Sequence, residues 1–195
     1  MAVNLAVGPT DNSPSTQPLR LRPWQPSDLA ALLEAHRDPE FRRWATTVLD
    51  DEQAAGRWLE DQREQWAAGT RYSFVIVTAG AGAGEGGEPG GAVVGGIGVT
   101  EVEREDGSAE VGYWVGLAHR RQGIASRALE AVSQWALDLP DGPGLDRLDL
   151  LHSVENERSC AVAHRAGYAL QRVLPPLPPQ FPDKGHLHAR HTHAV

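Results

Sequence analysis

The chain has a single cysteine, Cys160, so no internal disulfide framework can hold it together, and a reducing compartment is the natural setting. Lysine is almost absent: Lys184 stands alone among arginines. No apolar run approaches the length of a membrane span, and the first residues lack the charged leader and apolar block of an export signal. The cytoplasm is therefore the expected location, with no membrane partner. Excess positive charge is also missing. A formal net charge of −8 argues against nucleic acid, whose phosphates need a basic face, and mildly favours cationic partners such as amines. What is present is a globular composition, 41% hydrophobic over 195 residues, enough for one domain with a sizeable core.

Residues 1–17 are aperiodic and rich in Pro, Ser, Thr and Asn, and read as a flexible tail before a domain spanning 18–195. Strand patterns run from Leu19 to Trp24, Tyr72 to Thr78, Ala92 to Val102, Ala109 to Val115, Leu145 to Ser153, Tyr168 to Leu174 and His186 to Val195. Helical spacing covers Leu29 to His36, Asp50 to Trp66, Ile124 to Leu137 and Ser159 to Ala166. Asp38-Pro39 closes the first helix or turns it into another. Gly95-Gly96 marks a bulge or a close backbone approach. Hairpins in the middle and mixed elements elsewhere define an α+β domain.

The stretch from Gly112 to Ser126, GYWVGLAHRRQGIAS, runs from a strand through a basic turn into a helix. A helix N-terminus leaves backbone N–H groups without intrahelical acceptors, and the helix dipole adds positive potential. Gly123 admits close approach, and Arg120 and Arg121 add charge, so the turn is a candidate diphosphate cradle. A second glycine-rich stretch, Gly82 to Gly87, formally matches G-x-G-x-x-G. No helix opens after it, so it reads as a hairpin loop and not as a dinucleotide site.

Downstream lie H-S-V-E-N-E-R-S and C-A-V-A-H-R-A-G-Y. Together with E-V-G-Y-W-V, R-R-Q-G-I-A-S and the opening L-R-L-R-P-W-Q-P-S-D, they closely resemble the GNAT acetyltransferase superfamily, most of all its RimJ/RimL-like branch. The resemblance implies a central, mostly antiparallel twisted sheet of six to seven strands with about four flanking helices. It also implies a splay between the fourth and fifth strands, where the acetyl-CoA thioester lies. It implies pyrophosphate binding on Arg121, Gln122, Gly123, Ile124, Ala125 and Ser126 beside Arg120, and pantetheine contacts around Val115, Leu117 and Asn156. Ser159 would hydrogen-bond the CoA sulfur, a role compatible with capping the helix, for which Asn156 and Ser159 are both candidates. The implied reaction is direct acetyl transfer to an amine, either a protein N-terminus or a small molecule, without a metal. A non-catalytic acyl-CoA sensor is the alternative, and monomer and homodimer both stay open.

Chemistry and resemblance leave some choices undecided. Glu110 is either the base that accepts the amine proton through a water or a strand carboxylate paired with arginine. Trp24 and Trp44 either flank the acceptor groove or belong to the core. Many GNAT enzymes carry a tyrosine acid where this chain has Ala163, and the branch's carboxylate after the sixth strand is replaced by Pro175 to Pro179. Cys160 reads as a buried helix cysteine. His186, His188, His191 and His193 share one strand pattern whose two pairs face opposite sides, which makes a single tetrahedral metal site awkward.

Overall fold

Strand β3 (Arg71–Thr78) shows why the molecule is layered as it is. Its run Phe74-Val75-Ile76-Val77 is buried on both faces. Alternation sends Phe74 and Ile76 to one apolar cluster and Val75 and Val77 to another, so helices must cover the sheet on both sides. The computed structural model describes residues 3–9, 15–45, 47–79, 91–102, 104–179 and 181–192. Within these, β1 (Leu5–Val7), β2 (Leu19–Pro23), β3, β4 (Val93–Thr100), β5 (Ser108–Val115), β6 (Arg147–Ser153), β7 (Ala169–Leu174) and β8 (Gly185–His191) make one sheet, ordered β1-β2-β3-β4-β5-β6-β8-β7. Every neighbouring pair is antiparallel except β5 and β6. None of the described helices is long and apolar enough to cross a membrane.

One face carries α4 (Ile124–Asp138) and α5 (Glu157–Arg165). Ala128, Leu129, Val132, Trp135 and Ala136 of α4 pack on Phe74, Ile97, Val99 and Val111. The other face carries α1 (Leu29–Arg37) and α3 (Glu52–Ala68), whose Leu32, Ala55 and Leu59 pack on Val75, Val77 and Trp24. Asp51 caps α3 by accepting from the Ala54 N–H at 2.7 Å, and Gly69 ends it in a left-handed conformation. The Asp38-Pro39 turn starts a separate short helix, α2 (Pro39–Trp44), capped by the Asp38 carboxylate.

Among the described residues the fold therefore has eight strands and five α-helices, instead of six to seven strands and about four helices. The added strand, β1, falls inside the stretch expected to be a flexible tail. It pairs Leu5, Ala6 and Val7 with Leu21, Arg20 and Leu19. The cause lies a hundred residues away. Buried Arg127 of α4 donates to the carbonyls of Val7 (3.0 Å), Gly8 (2.9 Å), Ser15 (3.3 Å) and Gln17 (2.8 Å), tethering a segment that has no periodicity of its own. Arg127→Met is expected to destabilise the fold by about 2–4 kcal/mol, because hydrogen bonds to a charged donor are lost in a buried setting. Denaturant unfolding measures this, and a change below about 0.5 kcal/mol would refute the tether.

Other expectations shift at their ends. The last strand stops at His191, and Tyr168 precedes β7 as a buried side chain bonded to Ser133 (2.7 Å). The loop at Gly82 to Gly87 and His193 lie outside the described residues.

Candidate active site

β5 and β6 run side by side for three rungs, Ser108–Arg147, Ala109–Leu148 and Glu110–Asp149. Beyond Glu110 and Asp149 the ladder between them stops, while β5 stays paired to β4 as far as Val115. The β5 edge from Val111 to Val115 thus lacks a β6 partner among the described residues. Side chains alternate along this edge. Val111, Tyr113 and Val115 join the core under α4 and α5, and Trp114 packs with the α1 and α3 cluster. A Cβ at Gly112 would meet nothing within 4 Å, so the floor between Glu110 and Trp114 is open.

The turn after β5 is built as a cradle. Gly116 leads into a single 3-10 turn, Leu117–His119, and Arg121 and Gly123 both take positive φ, 61° and 76°. Gly123 is the N-cap of α4, and the first helical bond runs from the Arg127 N–H to the Gly123 carbonyl at 3.1 Å. Among the described residues, no backbone carbonyl accepts from the N–H groups of Gly123, Ile124, Ala125 or Ser126. Four amides at the positive end of a 15-residue helix, with Arg121 beside them, are an arrangement suited to an anion.

Across the splay, Asn156 caps α5 by accepting from the Ser159 N–H at 3.3 Å. Ser159 is therefore not the cap, and its hydroxyl is available for other work. Tyr113 on β5 donates its hydroxyl to Ser159 Oγ at 3.2 Å. Burial pushes the Tyr113 pKa up to about 12, against the smaller opposing effect of its bond to Ser159, so it stays a donor at neutral pH. Two hydroxyls in series thus join β5 to α5 across the gap.

A family model described as "Acetyltransferase (GNAT) domain" matches residues 18–169, most of the chain. The chain belongs to the GNAT acetyltransferase family. A curated relative, the ribosomal-protein-serine acetyltransferase of Escherichia coli K12, is 33% identical over 82 residues, which span 42% of this chain and 44% of the relative. Among solved structures, Mycobacterium smegmatis RimJ in complex with CoA-disulfide superposes with a TM-score of 0.78 at 20% identity, covering 97% of this chain and 87% of its own. The microcin C7 self-immunity acetyltransferase MccE, in complex with acetyl-CoA and AMP, gives 0.73 at 15% identity, covering 93% and 97%. At these identities the superpositions speak for the fold.

Some residues singled out by the GNAT resemblance have other commitments. Arg120 is not an open cation: it pairs with Asp38 and with Glu40 (2.5 Å), and its Nε donates to the Val115 carbonyl at 3.1 Å. The same bond occupies a backbone acceptor expected for pantetheine. Leu117 is exposed. Glu40 also meets Arg158 of α5, and Arg43 meets Glu155 (2.7 Å), so α2 bridges the cradle to the start of α5. Glu110 accepts from Arg104 at 2.7 Å, at the foot of the splay. Trp24 is 5% exposed and stacked on Trp114, which places it in the core. Trp44 is half-buried under the Arg43 guanidinium, 4.5 Å from its centroid. Gly95 is the close backbone approach the sequence suggested, since a Cβ there would stand 2.4 Å from the Trp114 carbonyl oxygen; a Cβ at Gly96 would stand 2.6 Å from Trp114 Nε1. The strand irregularity opposite, between Ile76 and Val77, is the bulge. Ala163 is buried under β6.

Tyr113 was legible only as a strand residue. Its signal was alternation, which sets it on the α5 side of the strand that splays. His186 and His188 both turn to α5, and of the second pair His193 lies outside the described residues. Two residues from elsewhere, His152 and Cys160, meet them there.

Proposed function

We propose that this chain transfers the acetyl group of acetyl-CoA directly to a primary amine, and that the amine is the α-amino group of a protein N-terminus. The observation that carries this reading is the open β5 edge, with an amide cradle at one end and the Tyr113–Ser159 pair across the gap. The amides of Gly123 to Ser126 and the Arg121 guanidinium suit a pyrophosphate, and the unpaired β5 edge suits the peptide-like pantetheine arm. Asn156 contributes by fixing the first turn of α5, which carries Ser159.

The amine nitrogen attacks the thioester carbonyl carbon, and an oxyanion forms. Its collapse breaks the C–S bond; the thiolate leaves hydrogen-bonded to Ser159 Oγ, which Tyr113 supports, and takes its proton from solvent. The amine gives up its proton, so the products are an amide and free CoA thiol. Glu110 is the candidate acceptor through a water, although Arg104 already holds it. A weak base suits an amine that is partly neutral at pH 7. An α-amino group with a pKa near ~8 fits better than a lysine near ~10. The name of the E. coli relative, a ribosomal-protein-serine acetyltransferase, adds support for a protein acceptor.

Thiol release tests the reading. Peptides with a free N-terminus should be turned over faster than polyamines or the same peptides blocked at the N-terminus. Tight acetyl-CoA binding with no thiol release against any amine would favour a sensor. For Glu110→Gln, kcat/KM should fall about tenfold at pH 7, and the deficit should shrink as pH rises past the amine pKa. A deficit constant with pH would leave Glu110 a structural partner of Arg104.

A further inference from the structure

His152 on β6, Cys160 on α5 and His186 and His188 on β8 converge so that one ligand atom from each lies within 4.8 Å of all the others. The topology forces most of this. His152 and His186 are directly opposed across the antiparallel β6–β8 ladder, and His188 is opposite Leu150. Side chains two apart share a face, so all three imidazoles project to the same side of the sheet. That side is covered by α5, whose Cys160 lies four residues after the capping Asn156. From Cys160 Sγ the distances are 3.2 Å to His186 Nδ1, 3.7 Å to His152 Nε2 and 3.7 Å to His188 Nε2. For zinc–sulfur and zinc–nitrogen bonds of ordinary length, the sulfur–nitrogen edge of a tetrahedron is about 3.6 Å.

Packing alone is a poor account of this cluster. A thiol has one proton and is a weak hydrogen-bonding partner, yet three ring nitrogens are aimed at one sulfur. His188 is fully buried, with its Nε2 turned to the sulfur and its ring also set against the Tyr168 backbone. At His152, Nδ1 stands 2.8 Å from the Ser153 carbonyl and must donate to it. This fixes the tautomer whose Nε2 lone pair faces the sulfur, the outer-shell arrangement typical of metal-bound imidazole.

We propose that His152, Cys160, His186 and His188 form a closed, tetrahedral site for a divalent transition metal, of which zinc is the best fit. One thiolate and three imidazoles match zinc in softness and number, and a set of four protein ligands leaves no position for a substrate. On binding, the Cys160 thiol gives its proton to solvent and the sulfur bonds to the metal. The metal holds the first turn of α5 to β6 and β8, where β6 has already parted from β5. Ser159 is the residue next to Cys160, so the site positions the hydroxyl that faces the splay without taking part in the chemistry. His191, the third histidine of the strand, is not one of the four.

Cobalt is the probe. The full chain, stripped with chelator and titrated with Co²⁺, should bind one equivalent, with the visible absorption of tetrahedral cobalt and a thiolate-to-cobalt charge-transfer band. Zinc should displace it. Cys160→Ser should abolish the charge-transfer band and weaken zinc binding by at least about a hundredfold, and His152→Gln should weaken it at least about tenfold. His191→Ala should leave the spectrum unchanged. A chain that binds no cobalt, or octahedral cobalt only, would overturn the site, as would a charge-transfer band that survives in Cys160→Ser. Acetyl-CoA binding is measured separately, so the metal site and the transferase reading can each fail alone.

Discussion

Gly123→Val is expected to raise the acetyl-CoA dissociation constant by about a hundredfold or more. Gly123 holds φ at 76°, a conformation that costs an L residue about 1–2 kcal/mol and a β-branched one more. The turn would escape that strain by rotating, and the amides of Gly123 to Ser126 would then leave the common focus that a diphosphate needs. Amide bonds to a charged acceptor are worth about 1.5–3 kcal/mol each, so losing two accounts for the expected factor. Gly123→Asn separates strain from position, since asparagine tolerates the left-handed region, and its loss should be closer to tenfold. Isothermal titration decides. Unchanged affinity in the valine variant would remove the cradle from the functional reading.

The second large effect is expected in kcat. Ser159→Ala should lower it about a hundredfold while acetyl-CoA affinity stays within about threefold, because the missing hydrogen bond is needed only as the thiolate leaves. Tyr113→Phe should cost about tenfold, since the serine keeps its own proton but loses its supporting donor. The double variant should be no worse than Ser159→Ala alone. Groups acting in series are non-additive, and two independent roles would instead multiply. A fall in affinity equal to the fall in kcat would reduce Ser159 to a structural residue.

Much of this site could be read along the chain because its parts are local. The strand, turn and helix from Gly112 to Ser126 are contiguous, so glycine at the N-cap and the amides behind it follow from spacing alone. Asn156 and Ser159 are three residues apart at a helix start, which limited them to two roles; the structure assigns the cap to Asn156. The helices and most strands could be located for the same reason, since periodicity is a property of neighbours.

Pairings between distant residues could not be read in this way. Arg127, inside the helical run from Ile124, is buried against four carbonyls of the N-terminal segment and makes a strand out of an aperiodic tail. Arg120 looked like a phosphate ligand, yet Asp38 and Glu40 reach it from α2. The histidine-rich strand gave too few ligands on one side for a metal, until β6 and α5 supplied two more. The linear chain determined most of the elements and the family to which they belong, because those depend on residue type at short spacing. Only the tertiary structure decided which charges are already neutralised, which hydroxyl supports Ser159 and where four ligand atoms meet. Those depend on the order of strands in the sheet, and spacing along the chain does not encode that order.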